Sequence, residues 1–198
     1  MRPSSLTARI FLDSGDPDET RAALQLLGFL DGQTTNPTLI AKNPAARASF
    51  ERGERFTAAE IFDFYRGVVS EISQLIPDGS VSVEVYADAS TGAEELFRQG
   101  KEMFSWIPNA HIKYPTTLAG LEAAERSTRE GMRVNMTLVF SEEQAAAVYA
   151  ATAGAKKGAV FLSPFIGRLD DRGENGMDLI RNCIDLYGAG DRHVEVLV

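Results

Sequence analysis

The 198-residue chain has one cysteine, Cys183, so it can form neither an internal disulfide nor a thiolate metal cluster. Its two histidines, His111 and His193, lie far apart, and no His/carboxylate ligand spacing accompanies them, so no metal site is expected. A P-loop and a dinucleotide fingerprint are both missing. There is no basic excess either. Lys+Arg number 20 against 28 Asp+Glu, for a net charge of −8, and no basic run could neutralise a nucleic-acid backbone. No apolar run is long enough to span a bilayer, and Met1 to Gly15 lacks the sustained apolar stretch of a secretory signal. What is present is a 44% hydrophobic composition, enough to bury a core and too apolar for disorder. The expectation is an acidic, soluble, cytoplasmic protein forming a single domain over residues 1–198, with neither nucleic acid nor membrane as partner.

Short strand-like runs alternate with longer helical ones. Arg9–Asp13 reads as a strand. Pro17–Leu30 reads as a helix, with Asp16 as its cap and Pro17 at the first position. Gly32–Asn36 is a short second strand. Ala41–Arg55 is the least regular stretch, a loop or a short extra helix. Thr57–Ile76 is a helix opened by the Thr57/Glu60 capping box. Then come a strand at Val81–Val85, a helix at Ser90–Trp106 and a strand ending at His111–Lys113. A helix at Thr116–Glu130, a strand at Arg133–Phe140 and a helix at Ser141–Ala153 follow. The chain closes with a strand at Ala159–Ser163, a helix at Asn175–Tyr187 and a strand at His193–Val198. This rhythm predicts an α/β fold with a parallel sheet.

Side chains alternate faces along a strand. Three valines share one face of Val81–Val85, with Ser82 and Glu84 on the other. Val134, Met136 and Leu138 oppose Asn135 and Thr137; Ile112 opposes His111 and Lys113; Ile10 and Leu12 oppose Phe11 and Asp13; Val160 and Leu162 oppose Phe161 and Ser163. A doubly wound sheet needs two apolar faces. Here one face is aliphatic and the other turns polar toward the strand's C-terminal end. That pattern fits a TIM (β/α)8-type barrel, whose outer face packs on helices and whose C-terminal rim carries the site.

The inward polar set is Asp13, Asn36, Glu84, Lys113, Asn135, Thr137 and Ser163. Desolvation favours the neutral form of a lysine, and a neutral amine is the nucleophile that makes a Schiff base with a carbonyl. The iminium withdraws electrons, as carbon–carbon cleavage beside a ketone requires. A carboxylate must then move a hydroxyl proton, and either Asp13 or Glu84 could do so. His111 reads as a satisfied core histidine, His193 as exposed, and Cys183 as a small core residue rather than a nucleophile. Phe62, Phe64, Tyr65, Phe97, Phe104 and Trp106 read as helix packing, and Asp170, Asp171 and Glu174 as a solvated loop.

Four motifs carry a resemblance: TTNPTLI at 34–40, HIKYP at 111–115, NMTLVFS at 135–141 and SPFIGR at 163–168. Together, and in this order, they resemble the transaldolase family, which includes the fructose-6-phosphate aldolases. The resemblance implies a cofactor-free barrel acting on sugar phosphates. It implies that Lys113 attacks the ketose carbonyl and that Asp13 takes the proton from the C4 hydroxyl. Glu84 and Thr137 would hold a water for Schiff-base formation and breakdown. Asn36, Asn135 and Ser163 would bind the dihydroxyacetone portion, and Arg168 the phosphate. The aldolase branch usually has Gln where Glu84 stands and Tyr where Phe165 stands. Phe165 has no hydroxyl to help protonate the enamine, so transfer to an aldehyde acceptor is favoured over release of free dihydroxyacetone.

The family's barrel has eight strands, and this chain stops inside the seventh, at Val194–Val198. The Ala-Ser-x-Arg segment that follows in relatives, whose Ser and Arg help bind phosphate, is absent. Open edges at the first and seventh strands invite pairing with another chain, so a homo-oligomer is one expectation. The alternatives to a transaldolase are an aldolase releasing dihydroxyacetone and an inactive incomplete barrel that binds sugar phosphates or a protein.

Overall fold

Polar caps decide where the helices begin. In the computed structural model, which describes residues 2–190 and 192–198, Asp16 accepts from the Asp18 N–H at the head of α1 (Pro17–Leu27). Thr57 and Glu60 exchange both bonds of the capping box that opens α4 (Ala58–Leu75). Asn-Pro occurs twice, seven residues apart, and each Asn caps a helix whose first residue is the Pro: α2 (Pro37–Lys42) and α3 (Pro44–Glu51). The stretch that read as a loop or one short helix therefore holds the end of one helix and all of a second.

The chain divides into two compact units. The first runs to Glu84 and includes Glu102–Ala110. Its strands are β1 (Phe11–Asp13), β2 (Gly32–Thr34) and β3 (Ser80–Glu84). They pair in parallel, with Asp13 beside Thr34 and Thr34 beside Ser82. Val81 and Val83 are fully buried with Val69 and Ile72 of α4. Phe62 and Tyr65 of α4 meet Trp106 edge-on, at 5.4 and 5.9 Å between ring centroids, so these aromatics do pack helices.

The second unit holds Val85–Lys101 and the chain from His111 onward. Its sheet contains β4 (Ala110–Pro115), β5 (Val134–Val139), β6 (Val160–Pro164) and β7 (Val194–Val196). All its pairings are parallel and follow chain order. Its helices are α5 (Ala93–Phe104) as far as Lys101, α6 (Leu118–Arg129), α7 (Glu142–Ala151), α8 (Ile166–Asp170) and α9 (Gly176–Gly188). The Tyr187 hydroxyl donates to the Ala145 carbonyl at 3.0 Å and ties α9 to α7. Strand order in both units runs without the reversal that marks a doubly wound sheet. The fold is α/β of the TIM-barrel type, with seven strands among the described residues where a closed barrel has eight.

Three local expectations change. Asp170 reads as loop and ends α8, a short helix without a side-chain cap, so no capping signal announces it. His193 was expected to be exposed. It is buried, with Nε2 3.0 Å from Thr152 Oγ1 and its ring against Tyr149. Leu138 leaves the alternation of β5: it has φ 60° and is 38% exposed, while Val134 and Met136 are fully buried. The β5–β6 register shifts between Thr137 and Val139, so Leu138 is the extra residue of a β-bulge.

Candidate functional site

In the second unit the face of each strand is set by what its neighbours touch. Tyr114 of β4 is fully buried, and its hydroxyl meets Ser127 Oγ of α6 at 3.0 Å. Burial pushes that phenol up to about 12. A Cβ on Gly100 of α5 would lie 1.8 Å from the same hydroxyl, so Tyr114 occupies the space that Gly100 leaves. Ile112 and Tyr114 thus face helices, and alternation puts Lys113 on the opposite face with His111. His111 is the satisfied core histidine expected, bonded through Nε2 to the Gly158 carbonyl at 3.1 Å and stacked on Phe161.

Lys113 is 5% exposed and is the register partner of Asn135 on β5. Asn135 is the partner of Phe161, and Thr137 that of Ser163, on β6. Asn135, Thr137 and Ser163 are all buried. Ser163 Oγ donates to Asn135 Oδ1 at 2.9 Å. Thr137 Oγ1 is buried with no hydrogen-bond partner among the described residues. Such an atom carries an uncompensated desolvation cost unless a water or ligand reaches it.

The bulge beside Thr137 is held from two sides. The Thr137 carbonyl accepts from both the N–H and the Oγ1 of Thr116, each at 2.8 Å. Gln144 of α7 accepts the Phe140 N–H at 2.7 Å and donates its Nε2 to the Thr116 carbonyl at 3.1 Å. Neither Thr116 nor Gln144 was anticipated. No motif marks a helix-borne amide that joins two strand ends.

Phe165 sits between β6 and α8, partly exposed and edge-on to Phe140 at 6.0 Å. Arg168 of α8 is exposed and has no ion-pair partner among the described residues. The Asp170 carboxylate accepts the Gly176 N–H at 2.8 Å, and Arg172 pairs with Glu174, so the adjacent acids are engaged elsewhere or solvated.

In the first unit Asp13 ends β1, exposed, and accepts from Thr34 Oγ1 at 2.6 Å. Asn36 is half-buried, and its Oδ1 caps α2 by accepting the Leu39 N–H at 2.9 Å. The cap leaves its Nδ2 hydrogens without a partner among the described residues. Gly15 lets the β1–α1 loop approach α2, since a Cβ there would meet the Leu39 carbonyl carbon at 2.6 Å. Asn43 Nδ2 fastens that loop through the Gly15 carbonyl at 2.9 Å. Half-buried Glu84 ends β3, and its N–H donates to Tyr65 Oη at 2.9 Å. The Tyr65 hydroxyl also lies 2.7 Å from Thr35 Oγ1, which donates to the Ser82 carbonyl. Burial raises the Tyr65 phenol well above its ordinary range, so it remains a neutral tie between β2, β3 and α4. Read from sequence as packing alone, Tyr65 also positions the backbone of Glu84.

These features define an α/β protein of the barrel type with a buried lysine and a row of hydroxyl and amide groups toward its strand C-terminal ends. Residues 10–197 match the family model described as Transaldolase/Fructose-6-phosphate aldolase. A protein of Dehalococcoides mccartyi named "Probable transaldolase" is 40% identical over 90% of this chain and 70% of its own length. Proteins of the same name from Prosthecochloris aestuarii and Heliobacterium modesticaldum are 39% and 41% identical over 96% of this chain and 76% and 74% of theirs. The chain belongs to the transaldolase/fructose-6-phosphate aldolase family. Among the described residues no helix is long and apolar enough to cross a membrane.

Proposed function

We propose that this protein is a transaldolase-type transferase that moves a dihydroxyacetone unit from a ketose phosphate to an aldose phosphate. The observation that carries the reading is Lys113, an amine 5% exposed beside Asn135 on the polar face of the strands. The Lys113 amine adds to the C2 carbonyl of the ketose, and loss of water gives the iminium. Asp13 takes the C4 hydroxyl proton; the C3–C4 bond breaks, its electrons pass into the iminium, and an aldose phosphate departs. The enamine left on Lys113 attacks the acceptor aldehyde, the new alkoxide is protonated, and hydrolysis frees the product ketose.

Glu84 and Thr137 hold the water that enters and leaves during Schiff-base formation and hydrolysis. The unpartnered Thr137 hydroxyl supports that role, because a bound water would satisfy it. Asn36, Asn135 and Ser163 hold the hydroxyls of the three-carbon unit, and Arg168 holds phosphate. The unpaired guanidinium of Arg168 supports the latter. Phe165 has no proton to give the enamine, which keeps the intermediate for an acceptor. The reaction needs no cofactor and would run in the cytoplasm.

Product analysis with fructose 6-phosphate, with and without erythrose 4-phosphate, tests the assignment. Transfer predicts a seven-carbon ketose phosphate only when acceptor is present. Free dihydroxyacetone formed at the same rate without acceptor would instead establish an aldolase. No turnover by folded protein would favour a binding module.

A further inference from the structure

We infer that the cavity at the N-terminal ends of β5 and β6 is a binding site for a small multivalent anion of the phosphate or pyrophosphate type. The cavity measures about 470 Å³. Arg129 ends α6, Arg133 immediately precedes β5, and Lys156 and Lys157 lie in the loop between α7 and β6; all four line the cavity. Its lining residues include no carboxylate, and the nearest acid to its glycine turn is Glu195, whose Oε1 would lie 3.8 Å from a Cβ on Gly158. Four cations around one depression stand out in a chain whose net charge is −8.

The four differ in what already satisfies them. Arg129 shares its charge with Glu125, but both are solvent-accessible, so the pair is weak and readily displaced. Arg133 is half-buried, and burial disfavours its charged form. Lys156 and Lys157 are exposed and have no ion-pair partner among the described residues. An anion with two or more charges would gain from all of them at once.

The backbone adds to this. The Ala159 N–H donates to the Lys156 carbonyl at 3.0 Å and closes a turn in which Gly158 has φ 81°. Glycine adopts that conformation without strain. The N–H groups of Lys157 and Gly158 have no acceptor among the described residues. Successive unpaired N–H groups in a glycine turn form the kind of concavity that takes an anion. The turn is anchored: the Gly158 carbonyl bonds His111 Nε2, and His111 stacks on Phe161. Thr137 of β5 lies four residues after Arg133, roughly 13 Å along the strand. The cavity is therefore at the opposite strand end from the Thr137 hydroxyl of the proposed chemistry.

Titrating isotopically labelled protein with inorganic pyrophosphate, and following the backbone amide signals, tests the site. The comparison is the double variant Lys156→Gln/Lys157→Gln, whose exposed positions leave the fold intact, as thermal unfolding will verify. The expected result is saturable shifts centred on residues 129–133 and 155–159. Binding should be about tenfold weaker in the double variant and weaken further with salt. No saturable shift, shifts centred on Arg168 instead, or binding unchanged in the double variant would overturn the inference.

Discussion

Ser163 Oγ donates to Asn135 Oδ1 across the β5–β6 pairing, and Asn135 is in turn the register partner of Lys113. The bond fixes the rotamer of the amide nearest the lysine along the sheet. Replacing Ser163 by Ala takes this donor away from the fully buried Asn135 Oδ1. A stability loss of about 1–3 kcal/mol is expected. Ketose KM should rise, with a smaller effect on kcat. Denaturant unfolding and steady-state kinetics check both parts.

Gln144 joins two strand ends, so its loss has a different signature. Gln144→Ala leaves the Thr116 carbonyl and the Phe140 N–H without their side-chain partner, at a cost of about 1–3 kcal/mol. The bulge at Leu138 is then free to relax into regular alternation, which would move Thr137. The expected kinetic result is a fall in kcat larger than any change in KM, together with slower Schiff-base hydrolysis in single-turnover experiments.

Two helical glycines should respond in opposite directions. Gly67 of α4 is exposed, with nothing near the place a Cβ would take, so Gly67→Ala should stabilise by about 0.5–1 kcal/mol. At Gly100 the new methyl would collide with the Tyr114 hydroxyl, so Gly100→Ala should destabilise despite the same gain in helix propensity. Melting temperatures of the two single variants decide this.

The pH dependence has a definite sign. Burial, with a lesser contribution from Glu142, pushes the Cys183 thiol up to about 11, and burial pushes the Tyr114 phenol up to about 12. Both groups are neutral acids in the folded chain and ionise more easily once unfolded. Their contribution is present in full below the unfolded pKa values, near 8.5 for Cys and 10 for Tyr. It is lost progressively as pH rises toward 11 and 12. The melting temperature should therefore fall steadily above about pH 9. A disulfide exchange reagent at pH 8 should leave Cys183 untouched in native protein and modify it promptly in denatured protein.

Much of the fold was legible because repeated local signals agree. The Asp16 and Thr57 caps stand where the sequence places them. The aliphatic parity of Val81 and Val83, and of Val134 and Met136, matches full burial. The bulge at Leu138 was not legible, because an alternating apolar residue looks the same whether or not it is extruded; its position depends on Gln144 and Thr116 from other elements. His193 was misjudged for a related reason. A strand's first residue is buried or exposed according to what packs over it, here Tyr149 and Thr152. Asn36 shows the converse: the Asn-Pro start of a helix was open to reading, and its Oδ1 is committed to that cap.

The central claim is that Lys113 forms the covalent intermediate. Incubating the protein with fructose 6-phosphate, reducing with borohydride and measuring intact mass tests it directly, with Lys113→Ala as the control. The account predicts one reduced sugar adduct on the unsubstituted protein and none on the variant. A folded protein that gains no adduct, or a variant that gains the same adduct, would contradict it.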